Sequence, residues 1–310
     1  MIHDQCDIYV TLSTFGESGS EPIRLLERSG LKFGVNQTGK RPSAQEVLQN
    51  CCEAKVLIAG VEEYGARDLS NFKRLKCISR CGVGTENIDK VAAEKLGVII
   101  LNTPNEPVQA VAEHTVMLML ALLRKISDLD RDTKAGSWKR HTGNLLQGKV
   151  VGLVGYGRIG KKVACLLRPF DVEILAYDPA ALAEEPAVKM KNMDELLAKA
   201  DIVSLHCPPG KAFIGRQEFL KMKKGSWLIN TARGDLLDDH ALAEVLELGH
   251  LAGAALDVFP QEPYSGVLLS NEKVILTPHQ ATLTKETRLA MEVAATQNAI
   301  HFIAQKQIRY

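Results

Sequence analysis

The chain carries almost no net charge: 38 Lys and Arg stand against 37 Asp and Glu over 310 residues, a formal +1. No bulk field therefore draws it to nucleic acid or to an anionic membrane, and a small-molecule partner is the better expectation. Paired CxxC spacing is also missing. The seven cysteines, at 6, 51, 52, 77, 81, 165 and 207, are odd in number and irregularly placed. That argues against a disulfide framework and a structural zinc site, so no metal is expected and a reducing compartment fits. The start, Met1-Ile2-His3-Asp4-Gln5-Cys6, has no basic segment followed by an apolar core, so it does not read as a secretory signal. The most apolar helical stretch, Val116 to Leu123, is less than half of the roughly 20 residues that span a bilayer. These absences predict a cytoplasmic protein. Repeats, low-complexity tracts and a Pro/Gly/Ser linker are lacking too. With 45% hydrophobic and 24% charged residues, a globular chain remains, and its length suggests two domains at roughly 150 residues each.

From residue 8 to about 101, short β-rich runs alternate with helical patterns: Ile8 to Thr11, Leu31 to Val35, Val56 to Ala59, Cys77 to Arg80 and Val98 to Leu101. That is the rhythm of a parallel sheet wrapped by helices, an α/β fold. Ser43 and Glu46 form a capping box opening a helix to about Cys52, and Gly97 reads as a helix stop. A long apolar helix, Val108 to about Leu123, and a charge-dense stretch, Arg124 to Gly148, then break the rhythm and mark a domain boundary. A second series has strands at Lys149 to Val154, Val172 to Tyr177, Ile202 to His206, Trp227 to Asn230, Ala252 to Asp257 and Val274 to Leu276. Helical segments such as Asp194 to Lys199 and His240 to Leu248 lie between them. A last helix runs from Lys285 to about Gln305.

Gly155-Tyr156-Gly157-Arg158-Ile159-Gly160 matches GxGxxG. With 24 glycines available, chance alone yields this pattern about 0.14 times in such a chain, so the motif is weak without context. Here it follows an apolar strand and opens a helix, and Asp178 ends the next strand. Gly155 permits the tight turn, Gly157 leaves room for a pyrophosphate, and Gly160 lets helix and strand pack closely, while the helix N-terminus offers N–H donors to the phosphates. The Asp178 carboxylate suits ribose hydroxyls and would repel a 2′-phosphate. NAD is therefore expected rather than NADP.

Ligands of an open parallel sheet collect beyond the carboxyl ends of its strands. Three functional side chains lie there: Arg233 after Trp227-Leu228-Ile229-Asn230, Glu262 after Ala254-Ala255-Leu256-Asp257, and His279 after Val274-Ile275-Leu276. A cation, a carboxylate and an imidazole beside a nicotinamide suit the oxidation of an anionic alcohol. Hydride leaves a carbon while a base takes the hydroxyl proton, and a guanidinium holds the substrate carboxylate with two parallel hydrogen bonds. His279 is expected as acid/base, Glu262 as its orienting partner and Arg233 as carboxylate anchor.

The segments Asn230-Thr231-Ala232-Arg233-Gly234, Gly253 through Pro263 (GAALDVFPQEP) and Leu276-Thr277-Pro278-His279 resemble the signatures of the D-isomer-specific 2-hydroxyacid dehydrogenases. The resemblance implies two doubly wound parallel-sheet domains with a cleft between them: a flavodoxin-like substrate-binding domain, residues 1–101 and 283–310, and a Rossmann NAD-binding domain, 102–282. It adds Arg158 and Ile159 at the pyrophosphate, Thr231 and Ala232 near the cofactor, and Asp257 near the nicotinamide amide. His279, Gln280, Ala281 and Thr282 would border the ring. Arg80-Cys81-Gly82-Val83-Gly84 resembles the family's substrate loop, so Arg80, Gly82, Val83 and Gly84 are expected to meet the substrate, with backbone N–H groups facing a carboxylate. Val111 to Leu123 is similar to the helix through which members form homodimers; a buried core helix is the alternative.

The implied activity is NAD-dependent interconversion of a small D-2-hydroxy acid and its 2-oxo acid, with 3-phosphoglycerate the first candidate and hydroxypyruvate or glyoxylate reduction the alternative. An NAD(H)-sensing, corepressor-like binding protein is a reading of a different class. Two departures bear on the substrate. The loop Gly60-Val61-Glu62-Glu63-Tyr64-Gly65 carries two acids, which would repel a phosphate unless they point away, and Cys207 to Phe213 looks shorter than the usual family loop. With nothing after Tyr310, an appended regulatory module is not expected.

Overall fold

The computed structural model describes residues 6–180, 188–208 and 214–307. Its contacts divide the chain into two units, Met1–Pro107 with Leu283–Tyr310, and Val108–Thr282.

The first unit runs β1 (Ile8–Val10), α1 (Glu21–Arg28), β2 (Phe33–Val35), α2 (Ala44–Cys51), β3 (Val56–Ala59), α3 (Ala66–Ser70), β4 (Cys77–Arg80), α4 (Lys90–Lys95) and β5 (Ile99–Leu101). All strand pairs are parallel, in the order β2-β1-β3-β4-β5. This is the flavodoxin-like order. Because both faces are covered, β1 and β3 are buried at every residue and read as unbroken apolar runs. Ser43 caps α2 with the reciprocal Glu46 bond, as the sequence predicts.

The second unit runs α5 (Val108–Arg124), α6 (Ile126–Lys134), β6 (Val150–Val154), α7 (Arg158–Leu167), β7 (Glu173–Tyr177), β8 (Val188–Met190), α8 (Met193–Lys199), β9 (Ile202–Leu205), α9 (Arg216–Lys221), β10 (Trp227–Asn230), α10 (Asp239–Glu247), β11 (Gly253–Leu256) and β12 (Val274–Leu276). Its sheet is again parallel, ordered β12-β11-β10-β9-β6-β7-β8. From β6 the chain steps outward through β7 and β8, then returns to β9 and steps the other way. The switch point between β6 and β9 is where a doubly wound sheet binds its ligand. One face is filled by Ala112, Val116, Met119 and Leu123 of α5 against Val163, Ala164 and Leu167 of α7, so much of α5 is core.

The last helix, α11 (Lys285–Gln307), belongs to the first unit. Its Met291, Ala295, Ala299 and Ile303 pack against Ile8, Val10 and Ile58, while Tyr9 and Leu57 point to the opposite core.

The division by contacts falls at 107/108, six residues beyond the 101/102 expected from the sequence, and at 282/283 as expected. Residues just after β5 are tied back to the first unit. Asn298 Nδ2 donates to Asn102 O (3.2 Å), Asn102 Nδ2 donates to Val83 O (2.8 Å), and Gly82 N–H donates to Thr103 Oγ1 (2.7 Å). A correction to the sequence reading is α6, in the stretch read only as charge-dense. Among the described residues, no helix is long and apolar enough to cross a membrane.

Candidate active site

The nucleotide turn follows from backbone crowding. Gly155 turns at φ +98°, so close to β9 that a Cβ would come within 2.5 Å of the His206 carbonyl carbon. At Gly160 a Cβ would lie 2.3 Å from Gly155 O. Gly157 is the opposite case: it caps α7, and nothing lies within 4 Å of the place its Cβ would take. The protein thus fixes the first and third glycines, while the second faces open space at a helix N-terminus begun by Arg158 and Ile159. A pyrophosphate fits that arrangement.

Asp178 directly follows β7 and is tied to the same turn. Its Oδ2 accepts Tyr156 N–H and its Oδ1 accepts Ala180 N–H, each at 2.8 Å. A carboxylate offers about four acceptor sites, so ribose hydroxyls can still be bound. Beside the turn, burial pushes His206 down to about 4, so its ring is neutral near pH 7; its Nε2 lies 2.9 Å from Ser204 Oγ.

Three loops emerge side by side from β10, β11 and β12, whose last residues, Asn230, Leu256 and Leu276, stand in register. Asn230 shapes the first loop: its Oδ1 accepts Ala232 N–H (3.0 Å) and its Nδ2 donates to Arg233 O (2.8 Å). Arg233 is half-buried, with Nη1 donating to Ala232 O at 2.7 Å. Gly234 packs so tightly on the second loop that a Cβ would sit 1.9 Å from the Phe259 carbonyl carbon, which makes the Arg233 and Glu262 loops neighbours.

Glu262 is set by its own loop. Phe259 N–H donates to its Oε1 (3.1 Å), and the Phe259 ring stacks on Tyr264, whose hydroxyl donates to Asp239 at 2.8 Å. The Glu262 carboxylate then meets His279 Nδ1, at 2.8 Å through Oε2 and 3.0 Å through Oε1. Both side chains remain accessible, 39% and 49% exposed. The structure therefore brings the expected acid/base and its partner into direct contact, on a loop adjoining that of Arg233.

Asp257, expected near the nicotinamide, lies wholly buried beneath the Thr277–Ala281 turn. Thr231 Oγ1 is 2.8 Å from Thr115 Oγ1 of α5. The sequence reading missed the parts played by Thr115, Asn230 and His114.

In the first unit, Gly82 turns at φ +139° with the Arg80 guanidinium over it, and Arg80 Nη1 donates to Cys81 O. The Gly82 N–H, expected to face a carboxylate, donates instead to Thr103 Oγ1. Glu62 is turned inward: it is buried, and its Oε2 accepts the Thr11 hydroxyl (3.1 Å) and Gly60 N–H (2.8 Å). The loop from Cys207 lies outside the described residues from 209 to 213. Among the described residues, no group of three or more His, Cys, Asp or Glu side chains could hold a metal ion.

The second unit thus has the build of a dinucleotide-binding dehydrogenase domain, with an imidazole–carboxylate pair at the carboxyl edge of its sheet. Comparison with known proteins narrows the class. The family model described as D-isomer-specific 2-hydroxyacid dehydrogenase, NAD binding domain, matches residues 116–281. The chain is 40% identical over 275 residues to the glyoxylate reductase of Thermofilum pendens, covering 84% of this chain and 81% of that protein. It is 36% identical over 292 residues to the D-3-phosphoglycerate dehydrogenase of Archaeoglobus fulgidus, covering 91% of this chain and 55% of that one. A glyoxylate reductase structure from Paecilomyes thermophila matches with a TM-score of 0.85 at 29% identity, over 95% of this chain and 94% of that chain. The chain belongs to the D-isomer-specific 2-hydroxyacid dehydrogenase family. It spans about half the length of the phosphoglycerate dehydrogenases it matches. The segment with the glycine turn is the family's NAD-binding domain, and the open space at Gly157 and the acid at Asp178 fit NAD.

Proposed function

We propose that the protein interconverts a small D-2-hydroxy acid and its 2-oxo acid with NAD. The observation that carries the proposal is the contact of Glu262 with His279 Nδ1, made at the edge of a nucleotide-binding sheet and beside the Arg233 loop. With Nδ1 committed to Glu262, Nε2 is the atom that takes the proton from the substrate hydroxyl or returns it to the carbonyl oxygen. Arg233 anchors the substrate carboxylate through paired N–H donors. Bound NAD supplies the two-electron acceptor, and its reduced form the donor. Gly155, Gly157, Arg158, Ile159 and Gly160 hold its phosphates and Asp178 its ribose, while Thr231, Ala232, Asp257 and residues 279–282 form the nicotinamide end.

For the first unit we propose substrate contact at Arg80, Gly82, Val83 and Gly84, supported by a guanidinium lying over a glycine turn. The inward turn of Glu62 removes one of the two acids that would repel a phosphate, so 3-phosphoglycerate stays a substrate candidate beside hydroxypyruvate and glyoxylate. A homodimer is supported by the exposed Met117, Trp138 and Leu145 of the second unit, and a cytoplasmic location by seven cysteines of which none is in a disulfide among the described residues.

The deciding experiment follows NADH absorbance with phosphorylated and unphosphorylated 2-oxo acids. At least one should be reduced, and His279→Ala should lower its kcat by about 10²–10⁴-fold with NADH affinity nearly unchanged. Tight NADH binding without turnover of any 2-oxo acid would overturn the proposal in favour of an NAD(H) sensor.

A further inference from the structure

We infer that His114, on α5, is a positioning residue for His279 and acts on it through the buried carboxylate of Asp257. The inference rests on the acid/base reading of His279 given above.

His279 sits at φ +50°, a left-handed conformation that a side-chain-bearing residue keeps only where its surroundings impose it. Asp257 imposes it from beneath. Its Oδ1 accepts the Thr277 hydroxyl at 2.6 Å and Gln280 N–H at 3.0 Å, and its Oδ2 accepts Ala281 N–H at 3.0 Å. One carboxylate therefore grips the chain on both sides of His279, whose own N–H closes onto Thr277 O at 3.0 Å. Burial pushes the Asp257 pKa up. Hydrogen bonds from His114, Thr277, Gln280 and Ala281 more than offset that and hold it below the ordinary carboxylate value, so the group is an anion at neutral pH.

A buried anion is costly unless donors surround it. Three of its donors belong to the turn that it holds, and the fourth comes from another element. His114 Nε2 lies 3.4 Å from Asp257 Oδ1 and 3.3 Å from Thr277 Oγ1, and its side chain is 11% exposed. Counting hydrogens fixes its role. Thr277 gives its single hydroxyl hydrogen to Asp257, so toward His114 it can only accept, and the ionised Asp257 can only accept as well. Nε2 must therefore carry a hydrogen, shared between the two oxygens, whatever the charge on the ring. Because α5 is packed in the core through Ala112, Val116 and Met119, this donor is fixed to a rigid helix. The path runs from α5 through His114 to Asp257 and from there to the backbone that aims His279.

The test compares His114→Leu, which keeps bulk and removes the donor, with His114→Gln, which restores an N–H near the place of Nε2. In His114→Leu, kcat should fall about tenfold or more while the KM for NADH changes less than about threefold. In cofactor-free protein, NMR should show amide exchange at Gln280 and Ala281 accelerating about tenfold or more, with β6 and β9 unaffected. His114→Gln should return both readings to within about threefold of the parent. Parental exchange at Gln280 and Ala281 in His114→Leu overturns the inference. So does faster exchange throughout the unit in both variants, which is the mark of a purely structural histidine. Should His114→Leu not fold, His114→Phe, which also removes the donor and keeps a ring in the same space, is read the same way. If His279→Ala keeps normal turnover, the acid/base reading fails by itself; the exchange data still decide whether His114 holds the turn.

Discussion

At the turn between β6 and α7, one substitution sets helix stability against ligand binding. Gly157 is the N-cap of α7, its φ of −78° is open to any residue, and a side chain there would enter free space. Aspartate is a favoured N-cap whose carboxylate accepts the first N–H groups of the helix and complements its positive end. Gly157→Asp should therefore fold normally and gain a few tenths of a kcal/mol. The same carboxylate would stand beside the proposed pyrophosphate site. Two unit charges 4 Å apart interact by about 1 kcal/mol in water, so repulsion from the two charges of a pyrophosphate costs about 2 kcal/mol, roughly thirtyfold in affinity. Diverting the helix N–H groups to the introduced carboxylate would add to that. Urea unfolding measures the first effect and NADH fluorescence titration the second. The expected pattern is an unchanged or slightly higher midpoint with NADH affinity at least thirtyfold lower. A folded variant with parental affinity would show that the phosphates do not lie at this turn, and a variant that fails to fold would refute the claim of open space.

Gly234→Ala should act in the reverse manner. Its Cβ would lie 1.9 Å from Phe259 C and 2.3 Å from Phe259 O and Pro260 N, all backbone, so the Arg233 and Glu262 loops must part. We expect a loss of about 3 kcal/mol in urea unfolding and about 10²-fold in kcat/KM; parental stability would contradict the packing. His206 predicts a pH effect. Burial lowers its folded pKa from 6.5 to about 4, so above pH 6.5 it contributes no pH dependence. As pH falls from 6.5 towards 4, the unfolded chain takes the proton first and stability declines, by a ceiling of about 3 kcal/mol, since the residue retains some surface. His206→Gln should flatten that part of a urea-midpoint profile; an unchanged slope would mean that the ring is solvated.

The two sheets were legible because the central strands of a parallel sheet bury both faces. Val56-Leu57-Ile58-Ala59 needs no alternation to be recognised as a strand. The glycine turn was legible for a steric reason, since Gly155 and Gly160 stand where backbone atoms leave no room for a Cβ. Strand order was not written in the periodicity and came from the resemblance. Helix α6 escaped because it buries no residue at all. Ion pairs along its surface, Asp128 with Arg131 at 3.1 Å and Asp130 with Lys134 at 2.8 Å, support it and leave no apolar stripe to read. The contact division lies six residues beyond the boundary expected from the sequence for a different reason: the tie that holds Asn102 to the first unit comes from Asn298, 196 positions away.

Within the site, too, a residue's position along the chain decides whether its role can be read. Arg233, Glu262 and His279 could be picked out because each follows an apolar strand, and strand ends are where a doubly wound sheet exposes its chemistry. His114 has no such marker. It sits in an apolar helix, 163 positions from Thr277, where a histidine reads as one more core residue. The available clue was Asp257, an acid closing a fully buried strand. A carboxylate with no exposed surface obliges the fold to supply donors, so its sequence position announces that partners exist. Which partners they are depends on the packing of α5 over the sheet. That packing, set by Ala112, Val116 and Met119, turns an unremarkable helix position into the support beneath a strained loop.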